Sequence, residues 1–198
     1  MSDPDAALRA RNLRTLAALA GLFLLPLLLA FLTYYGSSWR PQAHVNHGEL
    51  LVPPRPLPQL ALRRISAGES DTPLRRKWSL VYVADGSCQE ACRRALYVMR
   101  QTRLALNTDM TRVARVLLVA GAADGLEALA RDYPGLTLLD ARAPAGTPLL
   151  REFPAAPRAD TLFVVDPLGN LMMSYDARQD PHGLLEDLKK LLKLSHIG

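Results

Sequence analysis

The chain of 198 residues carries 24 Lys and Arg against 19 Asp and Glu, which gives a net charge of +5. This modest excess includes no concentrated basic patch interleaved with aromatic residues, so we expect no nucleic-acid partner. The length suits one folded domain plus an appendage. The two cysteines are an even, minimal count, which suits an oxidising compartment.

The first long feature of the chain is an uncharged apolar run of 20 residues, from Leu16 to Tyr35. A helix rises about 1.5 Å per residue, so this run spans about 30 Å, the thickness of a bilayer's hydrocarbon core. Tyr34, Tyr35 and Trp39 are typical of the membrane interface. We therefore predict a transmembrane helix over residues 16–35. The alternative is a cleaved signal peptide, which the length of the run disfavours.

Basic residues flank this run unequally. Arg9, Arg11 and Arg14 precede it, whereas only Arg40 closely follows it. The positive-inside rule then places residues 1–15 in the cytoplasm and the rest of the chain on the other side. This pattern predicts a single-pass protein of a bacterial-type inner membrane, with the membrane as a partner and a periplasmic C-terminal domain.

A proline-rich segment follows the apolar run. Its six prolines are Pro41, Pro53, Pro54, Pro56, Pro58 and Pro73. This composition predicts an extended, semi-rigid linker over residues 36–73, and residues 57–64 are a candidate edge strand. His44 and His47 also lie here. Solvated side chains are the simpler interpretation of both histidines, and metal ligation is the alternative.

The stretch after the linker combines a strand and a helix. Residues 78–84 are apolar and rich in β-branched and aromatic side chains, which predicts a buried strand. Ser87 and Glu90 have the spacing of a capping box, which predicts a helix that starts at Cys88. The only two cysteines, Cys88 and Cys92, would then lie in the first turns of this helix.

This position gives the two cysteines a chemical character. Unpaired N–H groups and the helix dipole favour a thiolate, most of all at Cys88. The spacing of four residues places both sulfurs on one face, with Cα atoms about 6 Å apart in a regular helix. Cys88 and Cys92 can therefore form a reducible disulfide or bind a soft metal such as Cu(I). The alternative is two small buried side chains that never react.

The remaining elements alternate between strand and helix. The cysteine helix is predicted to end near residue 107 and to be followed by a strand at 113–120, a helix at 123–133 and a short strand at 136–139. A loop at 141–159 then precedes strands at 161–165 and 171–175. The last helix starts at Pro181, with Asp180 as its N-cap. Strand–helix alternation gives a parallel part, and the final hairpin adds an antiparallel part. We therefore predict an α/β, thioredoxin-like domain at residues 74–198.

The segment from Pro73 to Val83, followed after a short turn by Cys-x-x-x-Cys, resembles the Sco/SenC family. The turn Asp166-Pro167-Leu168-Gly169 is also similar to the strand–Pro-x-Gly–strand end of that family. The resemblance covers about residues 57–195 by the order of elements. Members of this family are membrane-anchored, thioredoxin-fold proteins of cytochrome c oxidase assembly.

The resemblance implies functions for both cysteines. Family members bind copper through the two cysteines and a distant histidine, and some act as thiol–disulfide reductants. Cys88 and Cys92 are therefore the candidate catalytic and metal-ligating residues, and copper is the candidate cofactor. Oxidase subunits or other assembly factors are the implied protein partners.

The sequence also departs from the family pattern. Gln89 occupies the position after the first cysteine, where the family usually has proline. The place of the family histidine falls at about Arg158, and residues 157–161 contain no histidine. Met172 and Met173 are candidate thioether ligands, although methionines in a hairpin strand are more often core residues. The chain thus resembles a divergent member that lacks the third copper ligand.

Three functions are consistent with these features. The first is a Sco-like assembly factor for cytochrome c oxidase, in which the cysteine pair acts in thiol–disulfide exchange, as a thiol–disulfide oxidoreductase does, or in Cu(I) handling. The second is a non-catalytic, membrane-tethered scaffold with a structural disulfide. The third is a thiol peroxidase with Cys88 as the peroxidatic residue, which the lack of a Thr-x-x-Cys motif disfavours.

Overall fold

A computed structural model describes most of the chain and divides it into two compact units, residues 1–44 and 45–198. The described residues are 4–36, 46–65, 70–71, 74–122, 124–142, 144–154, 158–195 and 197. Trp39, Arg40 and His44, which the sequence analysis singled out, lie outside these ranges.

The first unit contains one long helix, α1 (Pro4–Gly36). The most apolar 18 residues within its stretch Arg11–Gly36 have a mean hydropathy of 2.5, and the length and composition of this stretch are sufficient to cross a membrane. Pro26 lies inside the helix, which is tolerated in apolar helices of this type. α1 begins earlier than the sequence predicted, because the polar residues before the apolar run also adopt helical geometry.

The second unit is built on a mixed sheet of six strands in the order β1-β8-β7-β4-β5-β6. Its strands are β1 (Glu49–Pro56), β4 (Trp78–Ala84), β5 (Val113–Val119), β6 (Leu136–Asp140), β7 (Thr161–Val165) and β8 (Asn170–Asp176). β4, β5 and β6 are parallel, whereas β7 runs antiparallel to β4 and β8, and β8 also pairs antiparallel with β1. Two short strands, β2 (Leu62–Arg63) and β3 (Ser70–Asp71), form a separate pair.

In the described part of this unit, four helices accompany the sheet: α2 (Glu90–Ala105), α3 (Leu126–Asp132), α4 (Thr147–Leu150) and α5 (Pro181–Leu194). Two 3₁₀ turns, Asn107–Arg112 and Arg158–Asp160, precede β5 and β7. α2 and α5 contact each other. This arrangement confirms the predicted thioredoxin-like α/β class.

β4 is buried along its whole length, because it has a strand on each side and apolar side chains on both faces. Leu80 and Tyr82 belong to the core on the side of α2 and α5. Val81 and Val83 belong to the core on the opposite face. Side chains alternate along a strand, so one short segment contributes to both cores.

The loop predicted for residues 141–159 contains α4 and contributes a large side chain to the second core. Phe153 is almost fully buried and lies edge-to-face with Phe163, with ring centroids 5.1 Å apart. No periodic pattern predicts α4, because this helix is only four residues long.

One edge of the sheet is formed by β1, upstream of the predicted edge strand. β1 pairs with β8 through Glu49 opposite Ser174 and Arg55 opposite Leu171. Within the predicted range 57–64, the structure has the short strand β2 and a bridge from Arg64 to Leu139 of β6. The sequence analysis placed residues 49–56 in the extended linker because of their prolines. An edge strand tolerates proline, because one of its sides needs no hydrogen bonds.

The residues just before β1 are fixed to α5. The carboxylate of Asp187 accepts hydrogen bonds from the backbone N–H groups of His47 and Gly48, both at 2.8 Å. The His47 ring lies 2.9 Å from Glu186, which also contacts His182 at 3.3 Å. His47 is therefore in contact with a carboxylate on α5, which neither sequence interpretation anticipated.

We expect Asp187→Ala to lower the free energy of unfolding of the second unit by about 2 kcal/mol. The substitution leaves two N–H groups without their charged acceptor. Its cost is limited because the other oxygen, Oδ1, is buried without a hydrogen-bond partner among the described residues and no longer needs to be desolvated. Urea denaturation of the full chain in detergent, followed by circular dichroism, measures this change.

The matched control is Glu186→Ala, because Glu186 is the neighbouring carboxylate and its side chain is 45% exposed. It should change the unfolding free energy by less than about 0.5 kcal/mol. Equal effects of the two substitutions would contradict the anchoring role of Asp187.

Candidate functional site

The cysteine pair lies where the central strand is followed by α2. Cys88 and Cys92 form a disulfide, with Cα atoms 5.1 Å apart. α2 starts at Glu90, and Gln89 is its N-cap in an extended conformation. Cys88 therefore precedes the helix and Cys92 lies in its first turn. The Cα atoms are closer than the roughly 6 Å expected for a regular helix, because Cys88 lies outside the helix.

The predicted capping box is wrong. No side chain caps α2, and the hydroxyl of Ser87 instead accepts a hydrogen bond from the Gln89 side chain at 2.9 Å. Because Gln89 rather than Ser87 is the N-cap, Ser87 lies too far before the helix for its hydroxyl to accept from the N–H groups of the first turn. The helix start moves from Cys88 to Glu90 for the same reason.

The two cysteines differ in exposure. Cys92 is 4% exposed and is part of the core beneath α2, whereas Cys88 is half-buried at the edge of that core. A protein partner can therefore approach Cys88, while Cys92 is shielded.

Charged side chains occupy the turn that precedes β7. The 3₁₀ turn Arg158–Asp160 packs against α2. The Asp160 carboxylate lies 3.2 Å from Arg94, which also contacts Glu90 at 2.8 Å. Arg178 lies 3.9 Å from Asp160 on the other side. The side chain of Arg158, the place where the family histidine was expected, lies outside the described atoms.

Tyr82 connects β4 to this turn. Its hydroxyl donates a hydrogen bond to the carbonyl oxygen of Ala159 at 2.8 Å. Burial raises the pKa of Tyr82 to about 12, and the negative charges of Asp160 and Asp85 contribute further. The phenol therefore stays protonated at physiological pH and acts as a permanent donor. The sequence analysis missed this role, because Tyr82 was interpreted only as part of a buried strand.

The site offers few ligands for a metal ion. Among the described residues, no three His, Cys, Asp or Glu side chains form a group that could hold a metal ion. The cysteines supply two soft ligands when reduced. Met172 and Met173 lie in β8, which is separated from β4 by β7, and Met173 is a buried core residue. The described residues therefore do not complete the two-Cys, one-His copper site that the resemblance implies.

A mixed sheet with a cysteine pair between its central strand and the following helix defines a thioredoxin-like protein. Residues 78–195 match the family model described as "Transmembrane-like, thioredoxin-like, C-terminal domain". The match covers more than half of the chain, and the chain belongs to this family. No curated protein matches the sequence.

Solved Sco structures share this fold. The apo Sco1 protein from Thermus thermophilus has 16% identity and a TM-score of 0.57, over 76% of this chain and 99% of that one. Yeast Sco1 with copper bound has 15% identity and a TM-score of 0.57, over 69% of this chain and 94% of that one. BsSco, described with a disulfide switch, has 13% identity and a TM-score of 0.51, over 72% and 96%. The TM-scores establish a common fold, and identities this low carry no conclusion beyond the fold.

We expect the stability of the second unit to fall between about pH 10 and pH 12 because of Tyr82. The folded pKa lies near 12, whereas the unfolded pKa is near 10, so in this window the unfolded chain loses a proton that the folded chain retains. Two pKa units correspond to about 2.7 kcal/mol. Urea denaturation at several pH values measures this loss.

Tyr82→Phe is the control, because phenylalanine keeps the ring and removes the ionisable group. At neutral pH the free energy of unfolding of the variant should be about 1 kcal/mol lower, because the variant lacks the hydrogen bond to Ala159. The stability difference between the two proteins should then shrink or reverse above pH 10. A constant difference across the whole range would show that Tyr82 does not titrate as described.

Proposed function

We propose that this protein is a membrane-anchored, Sco-like assembly factor for cytochrome c oxidase, and that Cys88 and Cys92 perform thiol–disulfide exchange with a client protein. The observation that supports this function most is the disulfide itself, with one accessible and one shielded cysteine beside the central strand. The shared fold adds support. BsSco, one of the proteins with this fold, is described as having a disulfide switch and as a member of the Sco family of cytochrome c oxidase assembly proteins.

The exchange reaction follows from the exposure of the two sulfurs. In the reduced protein, the Cys88 thiolate attacks one sulfur of a client disulfide, and the other client sulfur leaves as a thiolate. Cys92 then attacks Cys88, which releases the remaining client thiolate and forms the Cys88–Cys92 disulfide. Two electrons pass from the cysteine pair to the client. The reverse sequence oxidises a client dithiol.

The start of α2 favours this chemistry. The first N–H groups of a helix have no acceptor within the helix, and they favour negative charge nearby. Cys88 lies two residues before Glu90, the first residue of α2. A thiolate on Cys88 therefore forms beside these donors, while Cys92 approaches it from inside the first turn.

The proposed location follows from α1 and the flanking charges. α1 acts as an uncleaved, single-pass anchor in a bacterial-type inner membrane. Three arginines before the apolar run, against one after it, favour a cytoplasmic N-terminus. The second unit then lies in the periplasm, an oxidising compartment in which disulfides form and persist. Oxidase subunits or assembly factors are the proposed partners.

We expect Cys88→Ser to reduce oxidase activity in membranes of the host to the level of a deletion strain. Cys92→Ser should instead accumulate a mixed disulfide between Cys88 and the client, because the resolving thiol is missing. Non-reducing electrophoresis detects this adduct. Met110→Ser is the matched control, because it replaces another sulfur-containing side chain with serine at an exposed position away from the cysteine pair. Full oxidase activity with Cys88→Ser would contradict the proposal.

A non-catalytic scaffold with a structural disulfide is the alternative function. The incomplete metal site favours it, because no third His, Cys, Asp or Glu among the described residues completes a metal site with the two cysteines. The reduction potential separates the two functions. A structural disulfide lies below about −300 mV and resists glutathione, whereas an exchanging pair lies above this value.

Copper handling is a second use proposed for the same pair. Yeast Sco1, which shares the fold, is described with copper bound. Two thiolates alone leave Cu(I) without a third protein ligand, so we expect the reduced full chain to lose Cu(I) to a competing chelator under anaerobic conditions. Arg158→His introduces the missing ligand type at the place where the family has it, and should raise the affinity about tenfold or more.

The control for copper is Cys88→Ser/Cys92→Ser, which removes both soft ligands. Binding of one Cu(I) by the unmodified chain that resists the chelator, and that disappears in this control, would contradict the two-ligand interpretation. It would establish copper transfer in place of thiol exchange as the main function of the site.

A further inference from the structure

A cleft adjoins the cysteine pair on one side. It has a volume of about 690 Å³ and begins at Ser87, Cys88 and Gln89. One wall is formed by α2, and the other wall is formed by residues 124–133, which include α3. Cys88, the accessible cysteine, therefore lies at one end of a surface depression that is large enough to hold several residues of another chain.

The α2 wall of the cleft is basic and aromatic. Its residues are Arg93, Tyr97, Arg100 and Gln101. Spacings of four and three residues place Arg93, Tyr97 and Arg100 on one face of the helix, and Gln101 lies at the border of this face. Tyr97 is 57% exposed. Exposed tyrosines are frequent in protein interfaces, because the ring provides apolar contact area and the hydroxyl forms hydrogen bonds.

The positive charges on this wall have no carboxylate partner in the described part of the chain. On the same helix, Arg94 contacts Glu90 and Asp160, and Arg103 donates to the Val113 carbonyl oxygen at 2.7 Å. Arg93 and Arg100 form no such contact with a described residue. These two guanidinium groups form no ion pair with a described residue, and they favour an acidic group on a molecule that enters the cleft along α2.

We propose that this cleft binds an extended segment of the client protein, which carries the reacting cysteine and an acidic side chain four or five residues away. The inference rests on the proposed thiol exchange at Cys88, and it adds the chemistry by which the client is recognised. The occupant is a protein segment, because the reaction at Cys88 requires a sulfur at the end of the cleft.

The spacing follows from the geometry of α2. Glu90 and Arg100 are ten residues apart, which is about 15 Å along a helix. An extended chain rises about 3.3 Å per residue, so it covers this distance in four to five residues. Asp124 and Asp132 lie on the opposite wall, which disfavours a uniformly acidic segment. Because side chains alternate along an extended chain, a single acidic residue can face α2 alone.

Model peptides test this specificity on the full chain, reduced and held in detergent micelles. Each peptide contains one cysteine, activated as a mixed disulfide with thionitrobenzoate, in a background of Ala, Gly and Ser. Glutamates occupy the fourth and fifth positions from the cysteine, on the N-terminal side in one peptide and on the C-terminal side in another. Matched peptides carry lysines in place of the glutamates.

The reaction gives a coloured product. The Cys88 thiolate attacks the peptide sulfur, the bond between the two sulfurs of the activated disulfide breaks, and thionitrobenzoate leaves with the electron pair. Cys92 then attacks Cys88, which releases the peptide thiolate and restores the Cys88–Cys92 disulfide. Absorbance of the released thionitrobenzoate measures the rate of the first step.

We expect one of the two glutamate peptides to react at least about tenfold faster than its lysine counterpart at low ionic strength, and the advantage to shrink as salt is added. Arg93→Glu/Arg100→Glu should reverse this preference. The charge-matched control Arg151→Glu/Lys193→Glu, at exposed residues that do not line the cleft, should retain it.

Equal rates for glutamate and lysine peptides, or a preference that survives Arg93→Glu/Arg100→Glu, would overturn the inference and leave thiol exchange in place. A chain that releases no thionitrobenzoate from any peptide would overturn the proposed exchange, and the inference with it. Tyr97→Ala supplies a second test that leaves the charge unchanged. This substitution should slow the reaction of all peptides by a similar factor. Unchanged rates would show that Tyr97 does not contribute to peptide binding in the cleft.

Discussion

The burial of β4 is the constraint on which the site depends. Pairing with β5 and β7 fixes both sides of the strand, and two apolar cores fix its faces. The chain leaves this rigid strand at Ala84, and only three residues separate it from Cys88. The position of the accessible sulfur is therefore set by the strand, and α2 then holds Cys92 beneath it. A mobile segment could not hold the two sulfurs in such different environments.

The turn before β7 gives the site a different chemistry from that of a soft-metal site. Asp160 lies between Arg94 and Arg178, and Tyr82 holds the adjacent carbonyl oxygen. A guanidinium group remains protonated in proteins and has no lone pair to offer a metal. A carboxylate is a hard ligand that Cu(I) does not prefer. Arg94, Arg178 and Asp160 therefore add no soft ligand for Cu(I) to the two cysteines.

Much of the fold was predictable because its central elements have strong local signals. Residues 78–84 form β4 as predicted, and Asp180 caps α5 by accepting from the His182 N–H group. The helix start at the cysteines was misplaced by two residues, because the Ser87 hydroxyl accepts a hydrogen bond from a nearby side chain instead of capping. Short-range patterns do not reveal such competition between hydrogen-bond partners.

Other features depend on contacts between distant residues, which a single sequence does not display. The cleft beside Cys88 exists because α3 faces α2 across it. No motif in either helix predicts that the two helices lie opposite each other. β1 was hidden by its prolines, although its pairing with β8 is extensive. The hydrogen bonds from residues 47 and 48 to Asp187 join positions about 140 residues apart in the chain.

These hydrogen bonds have a mechanical consequence. A pulling force applied to the chain upstream of residue 46 acts on the second unit first at His47 and Gly48. Their hydrogen bonds to the Asp187 carboxylate are the first contacts that resist this force. The next resistance comes from β1 and its ladder with β8, at one edge of the sheet. Two strands, β8 and β7, lie between that edge and β4. Tension from a tether is therefore borne at the periphery of the sheet, and the strand that positions the two sulfurs is spared.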